Sequence, residues 1–151
     1  MKTLLLLLTS FVSANAEKAV TMIQERDLPA AVKAALAKDK PTGATFRGFE
    51  REVINGKIYF EVQMTVAGKG SEILYRPDGS ILEVERETTI DEIPAPARDA
   101  IKKAMGDGAL RKVDVITRGK LVMYEGELLI KGQKSQVRVD AKGRPVTSDL
   151  D

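Results

Sequence analysis

The sequence predicts an α+β fold of two tandem repeats, each with one helix packed on a four-stranded antiparallel sheet (order α-β-β-β-β). Three observations predict it. Helical spacing of apolar residues occurs twice, strand-type alternation follows it each time, and the two copies lie at a nearly constant offset. Leu28-Pro29 returns as Ile93-Pro94, an offset of 65, and Gly79 returns as Gly143, an offset of 64. A period of this length is typical of two copies of one supersecondary unit.

Each predicted repeat opens with a helix. Pro29 and Pro94 suit the first helical turn, where no backbone N–H is needed. Glycines are expected to end the helices, at Gly43 in the first and at Gly106 or Gly108 in the second. The apolar face of the first helix, repeated by the second, comprises Leu28, Val32, Ala35 and Leu36, then Ile93, Ala97, Ala100, Ile101 and Ala104.

Strands follow each helix, because the apolar period changes from about 3.6 to 2. Asn55-Gly56 is a strong signal for a two-residue hairpin. Strands are expected at 45–53, 58–66, 71–76 and 81–87, then at 111–117, 121–131 and 134–140, with a short edge at 145–146 and a further short strand near 20–23. The side chains expected to face the helices are Ile58, Phe60, Val62, Met64 and Val66, and at the offset of 64, Val122, Tyr124, Gly126, Leu128 and Ile130.

The other face of each sheet is predicted to be open, since one helix covers one face only. Tyr, Met and Arg are enriched in protein interfaces, and Leu121 and Met123 are apolar where a solvated face would be polar. The alternative is that these groups pack the repeats together or are scattered exposures. The candidate partner-binding residues are Tyr59, Glu61, Gln63, Arg76, Leu121, Met123, Glu125, Glu127 and Arg138.

Residues 1–16 have the features of a signal peptide. Lys2 precedes a short leucine-rich stretch, and Ala14-Asn15-Ala16 predicts cleavage after Ala16. The apolar stretch is shorter than the ~20 residues that span a membrane, although an uncleaved anchor is the alternative. The chain has no cysteine, and a small secreted domain without disulfides is typical of the bacterial periplasm or exterior. The mature chain then divides into a first repeat, 17–88, and a second, 89–151.

Composition excludes several classes of function. Residues 17–151 carry 23 basic and 22 acidic side chains, so no basic face for nucleic acid is expected. The absence of His and Cys removes thiol nucleophiles and the usual zinc or copper sites, and no cofactor or metal is predicted. Glu125 and Glu127, two apart on one strand, form the one candidate acid–base pair. Charged side chains on a solvated sheet face are the preferred interpretation, so no enzyme activity is expected.

These residues resemble the PepSY-like, β-lactamase-inhibitor-like (BLIP-like) family of secreted bacterial proteins, over residues 27–146. The resemblance implies two tandem α/β units whose sheets form a concave surface. In the β-lactamase inhibitor, that surface and a hairpin loop grip an enzyme, and PepSY-type domains are suggested to restrain peptidases. The motifs that carry it are Leu28-Pro29-x-x-Val32, Ile93-Pro94-x-x-Ala97, Tyr75-x-x-Asp78-Gly79 and Val139-x-x-Lys142-Gly143.

The chain departs from the inhibitor in two respects, since it lacks disulfides and its turn Ile54-Asn55-Gly56-Lys57 contains no acid. The resemblance therefore implies the fold and binding through the sheet face, but no individual functional residue. We predict a periplasmic or secreted, non-enzymatic interaction module for an unidentified protein of the cell envelope, such as a peptidase or other enzyme that it restrains. The alternative is an envelope protein that senses a small ligand or ion. A monomer is expected, because the terminal edge strand at 145–146 is short.

Overall fold

The computed structural model describes residues 18–147, so the predicted signal peptide lies outside the described residues. A short 3-10 turn, Glu25–Asp27, precedes the first helix. Neither α-helix in this part of the chain is long and apolar enough to cross a membrane. The elements within residues 18–147 are β1 (Lys18–Ile23), α1 (Ala30–Asp39), β2 (Thr45–Ile54), β3 (Lys57–Val66), β4 (Lys69–Tyr75), β5 (Ile81–Thr88), α2 (Ala95–Met105), β6 (Ala109–Arg118), β7 (Leu121–Ile130) and β8 (Gln133–Val139).

The strands form one antiparallel sheet in chain order, β1 to β8, so the prediction of two tandem repeats, each with one helix on a four-stranded sheet, is wrong. The sequence predicts that β5 closes the first repeat, but β5 pairs with β4 on one side and with β6 on the other. An uncovered strand edge leaves backbone groups without partners, and pairing with β6 satisfies those of β5. The expected strand at 145–146 is a single bridge from Val139 to Pro145. The short strand expected near 20–23 is the six-residue strand β1, which pairs with β2.

We call strands β1–β5 the first half of the sheet and strands β6–β8 the second half. Strand pairing follows the same register in both halves, at an offset of 64 residues. The pair β2–β3 has its bulge between Phe46 and Gly48, and the pair β6–β7 has its bulge between Leu110 and Lys112. The pairing of β3 with β4 is likewise repeated by β7 with β8. Each position in β2–β4 therefore has a counterpart in β6–β8 that lies on the same face.

Both helices pack on one face of the sheet. Residues directly opposite each other on neighbouring antiparallel strands share a face, and the row Ile73, Val84, Thr117 and Val122 connects the two halves in this way. The predicted helix-facing set lies on this side, although Ile58 and Val122, near the starts of β3 and β7, are exposed. The buried core under α1 comprises Leu28, Val32, Leu36, Ala44, Phe60, Val62, Met64, Ile73 and Tyr75, and that under α2 comprises Ile93, Ala97, Ile101, Val113, Leu128 and Val139.

The connections follow local turn chemistry. The Asn55-Gly56 hairpin is confirmed, with φ of 50° and 77°, as a two-residue turn of the mirror-image type requires. The predicted end of the first helix needs correction, because α1 ends at Asp39, four residues before Gly43. The predicted end of the second helix is confirmed, since α2 ends at Met105 and Gly106 follows it with a φ of 52°.

Candidate functional site

The face of the sheet opposite the helices is open and curved. It surrounds a concavity of about 610 Å³. We call this surface the concave face, and all eight strands contribute to it. Nine carboxylates and four cationic side chains occur among its lining residues, which are Lys18, Glu50, Glu52, Ile54, Glu61, Gln63, Glu72, Leu74, Glu83, Glu85, Lys112, Asp114, Arg118, Glu125, Glu127, Gln136 and Arg138.

Strand pairing places acids from different strands side by side on the concave face. Alternate residues of a strand point to the same face. Glu50 on β2 lies directly opposite Glu61 on β3, and Asp114 on β6 lies opposite Glu125 on β7. Like charges in directly opposed positions destabilise a sheet, so packing of the fold alone does not account for this arrangement.

In the second half of the concave face, basic side chains of the chain itself neutralise these acids. Lys112 Nζ lies 3.0 Å from Glu85 Oε1 and 2.9 Å from Asp114 Oδ1. Arg138 donates a hydrogen bond to Glu125, which also accepts one from Gln136 at 3.1 Å. Both acids of the opposed pair are therefore matched by a cation.

At the boundary between the halves and at the first edge, further ion pairs form. Arg118 Nη2 lies 2.6 Å from Glu83 Oε2, and this ion pair connects β6 to β5. Lys18 Nζ lies 2.6 Å from Oε1 of the buried Glu52, and this ion pair connects β1 to β2.

Glu50 and Glu61 differ, because no Lys or Arg among residues 18–147 forms an ion pair with either. The Gln63 amide is their shared donor, at 3.1 Å from Glu50 Oε1 and 2.8 Å from Glu61 Oε1. Carboxylate oxygens of Glu50, Glu52 and Glu61 lie within 4.8 Å of one another. Three acids thus converge in the first half, and Lys18 contacts one of them.

Burial changes how these acids titrate. Burial, reinforced by Glu72 and Glu52, raises the pKa of Glu61 to about 7 even though Gln63 and Lys18 oppose the shift. Burial and the nearby Glu85 raise the pKa of Asp114 to about 7 against the opposing effect of Lys112. Burial also raises the pKa values of Glu72 and Glu125.

Stability should consequently fall as pH rises from about 5 to about 8. An acid whose pKa is higher in the folded state binds protons more tightly there, so folding loses free energy as the group ionises between its unfolded and folded pKa values. We expect Glu61 alone to contribute about 2 kcal/mol to this loss. Urea unfolding of wild type and Glu61→Gln at pH 5, 6, 7 and 8 measures it. The variant should show a shallower slope, whereas Asp99→Asn on exposed α2 should keep the wild-type slope; equal slopes for all three would contradict the prediction.

Two predicted interface residues are buried at the base of the concave face. Tyr59 is 5% exposed and packs with Ile54, Leu74 and Leu82, whereas Met123 is fully buried. Neither side chain offers a free surface to a partner. The sequence indicates which side of the strand they occupy, but their burial depends on side chains from other strands that the tertiary fold brings beside them.

The other predicted residues divide into three groups. Arg76 lies in the β4–β5 turn, where it donates to Ile81 O at 3.2 Å, and it is not among the lining residues. Leu121 is exposed at the start of β7. The predicted residues that do line the concavity are Glu61, Gln63, Glu125, Glu127 and Arg138.

Sequence reasoning missed the contributions of β1, β2, β5 and β6. Acids two apart, Glu50 with Glu52 and Glu83 with Glu85, were a usable signal, because this spacing places both carboxylates on one strand face. The missed lining residues are Lys18, Glu50, Glu52, Ile54, Glu72, Glu83, Glu85, Lys112, Asp114, Arg118 and Gln136.

Exposed apolar side chains border one end of the sheet. Ile58, Ile81, Leu121 and Val122 are exposed and lie at or next to the first residues of β3, β5 and β7. Alternate strands of an antiparallel sheet run in the same direction, so these residues share one end. We call them the apolar rim.

No family model and no curated protein matches the chain. Solved structures share its fold. A protein of Bacteroides eggerthii that is proposed to be periplasmic is 21% identical, with a TM-score of 0.64 over 79% of this chain and 86% of that one. A DUF2874 family protein of Bacteroides uniformis is 19% identical, with a TM-score of 0.62 over 79% and 86%. A BLIP-like protein of Bacteroides fragilis is 16% identical, with a TM-score of 0.58 over 79% and 84%. The chain therefore has a BLIP-like fold, and the PepSY-like part of the resemblance stays a prediction.

Proposed function

We propose that the chain is a non-enzymatic binding protein of the periplasm or cell exterior, and that it holds a partner protein on the concave face. One observation carries this proposal. Both helices cover one face of the sheet, and the opposite face is an open concavity lined by all eight strands. Within residues 18–147 no helix covers this second face, so it is available to another molecule.

The character of the surface favours a protein over a small apolar ligand. Small-molecule sites are mostly apolar clefts with a few polar groups, whereas the concave face is lined mainly by charged side chains. Leu121, which lies on the strand face that carries Glu125, adds an exposed apolar side chain to this side of the sheet.

The location and the kind of partner have separate support. The predicted signal peptide and the fold shared with a protein that is proposed to be periplasmic support a periplasmic or secreted location. The BLIP-like fold supports a partner that is an enzyme of the envelope, such as a peptidase that the chain restrains.

Cross-linked capture from envelope extract, followed by carboxyl labelling of the complex, tests the proposal. The full chain carrying an affinity tag is used, and labelling of each carboxylate is compared between free and bound protein. We expect at least fivefold protection of Glu50 and Glu127 and no protection of Asp99 on α2. Protection confined to the helix side would refute the proposed function.

The alternative of an ion sensor is favoured by the convergence of Glu50, Glu52 and Glu61, since carboxylate oxygens are the ligands that calcium prefers. A ligand that binds the folded state raises its melting temperature. An increase of several degrees with 1 mM Ca²⁺, lost in Glu50→Gln but kept in Asp99→Asn, would favour the sensor. No increase would remove it.

A further inference from the structure

The acids of the concave face occupy corresponding positions in its two halves, but the cations do not. At the offset of 64, Glu50 corresponds to Asp114 and Glu61 corresponds to Glu125. Each member of the second pair contacts a cation of the chain itself, Lys112 or Arg138. No such contact reaches Glu50 or Glu61 from residues 18–147. The first half therefore keeps the acids of an ion-paired arrangement without its cations.

The residues at the two corresponding cation positions explain the difference. Lys112 directly follows the bulge in β6, and its counterpart after the bulge in β2 is Gly48. Arg138 lies opposite Glu125, and its counterpart opposite Glu61 is Leu74. Neither glycine nor leucine carries a charge, so both cation positions are vacated in the first half.

A side chain at the first of these positions requires only a small shift of Gln63. A Cβ at Gly48 would lie 3.3 Å from Gln63 Oε1 and 3.6 Å from Met22 Cε, and both of these atoms end flexible side chains. Gly48 is not among the residues with positive φ, so its backbone conformation does not require glycine.

We propose that the partner supplies the missing cation, a lysine or arginine side chain that binds between the carboxylates of Glu50 and Glu61. This inference rests on the proposed function and specifies the chemistry of the partner. A protein side chain is favoured over a metal ion because Lys112 and Arg138 hold the corresponding acids, and because Lys18 already engages Glu52. The partner thus presents a basic segment to the first half of the concave face.

Binding of fluorescently labelled tetralysine tests the charge chemistry directly. Gly48→Lys places an internal cation beside Glu50, at the position that Lys112 holds beside Asp114, whereas Gly48→Gln makes a similar steric change without charge. Ser135→Lys adds the same net charge at an exposed position of β8. We expect affinity at least tenfold weaker for Gly48→Lys and within twofold of wild type for the two controls. Equal affinity in Gly48→Lys and Gly48→Gln would overturn the inference.

A second variant protects the test against a folding defect in Gly48→Lys. The double substitution Glu50→Gln/Glu61→Gln preserves side-chain shape, removes both charges and should also weaken tetralysine binding at least tenfold. Binding that persists in this variant overturns the inference.

The captured envelope protein separates failure of the inference from failure of the proposed function. If that protein protects the concave face but Gly48→Lys captures it as well as wild type does, the proposed function stands and the cation inference is wrong. If it protects only the helix side, the proposed function is wrong. Capture reduced at least fivefold by Gly48→Lys, and not by Gly48→Gln, supports both.

Discussion

Met123→Glu should lower the free energy of unfolding by about 3–5 kcal/mol at pH 7.5, because it places an unpaired charge in a fully buried position. Met123 is 0% exposed. It lies on the strand face that carries Glu125 and pairs with the buried Ile116. A new carboxylate there loses its hydration and is repelled by the acids around it. Since proteins of this size are stable by about 5–15 kcal/mol, the variant should be close to unfolding.

Leu121→Glu provides the matched control for Met123→Glu. Leu121 lies two residues earlier on the same strand and the same face, but it is 42% exposed. Its substitution should change the free energy of unfolding by about 0.5 kcal/mol or less. Urea unfolding followed by circular dichroism compares the two variants. The Met123→Glu variant should also recover part of its stability at pH 5, where its carboxyl is protonated; similar losses in both variants would contradict the burial of Met123.

Gly79→Ala should lower the free energy of unfolding by about 2–5 kcal/mol, through backbone strain and a steric clash together. Gly79 has a φ of 84°, and an ideal Cβ there would lie 2.6 Å from the backbone oxygen of Ala31 in α1. Its counterpart Gly143 has a φ of 75°, with the corresponding distance to Pro96 O only 2.5 Å. Both turns press against the first turn of a helix, so neither side can move away without disturbing the core.

Gly68→Ala separates the two causes. Gly68 has a φ of 81°, but nothing lies within 4 Å of its ideal Cβ. This substitution should cost about 1–2 kcal/mol, the strain of a left-handed backbone alone. Thermal and urea unfolding of Gly79→Ala and Gly68→Ala test this order. A loss at Gly79 no larger than that at Gly68 would show that the turn does not contact the helix closely.

The local structure could be predicted because short-range chemistry decides it. Asn55-Gly56 forms the hairpin that its turn residues require, and the alternation around Val62 places it in the core under α1. The sequence offset of 64 also reappears in the strand register and in both bulges. How many sheets form depends on contacts between distant residues. The pairing of Val84 with Thr117, which joins the halves, follows from no local pattern.

The candidate site was predicted in part. Alternation identified the open face, and Glu61 and Glu125 lie on it. It did not distinguish exposed positions from buried ones, so Tyr59 and Met123 were expected at the surface. Burial depends on which side chains of other strands pack beside a residue, as Leu74 and Leu82 do beside Tyr59. The apolar period of a single strand does not contain this information.

By itself, the sequence determined the order of the helices, the turns and most strands, and which side chains face the helices, because backbone dihedrals, turn residues and apolar period act over a few residues. The tertiary structure decided that the strands form one sheet and that the acids gather on its open face. Residues 17–151 are almost neutral overall, yet the concave face holds nine carboxylates and four cations. Strand pairing produces this concentration of acids, because it brings side chains from separate positions in the chain to one surface. These side chains include Glu50, Glu61, Asp114 and Glu125.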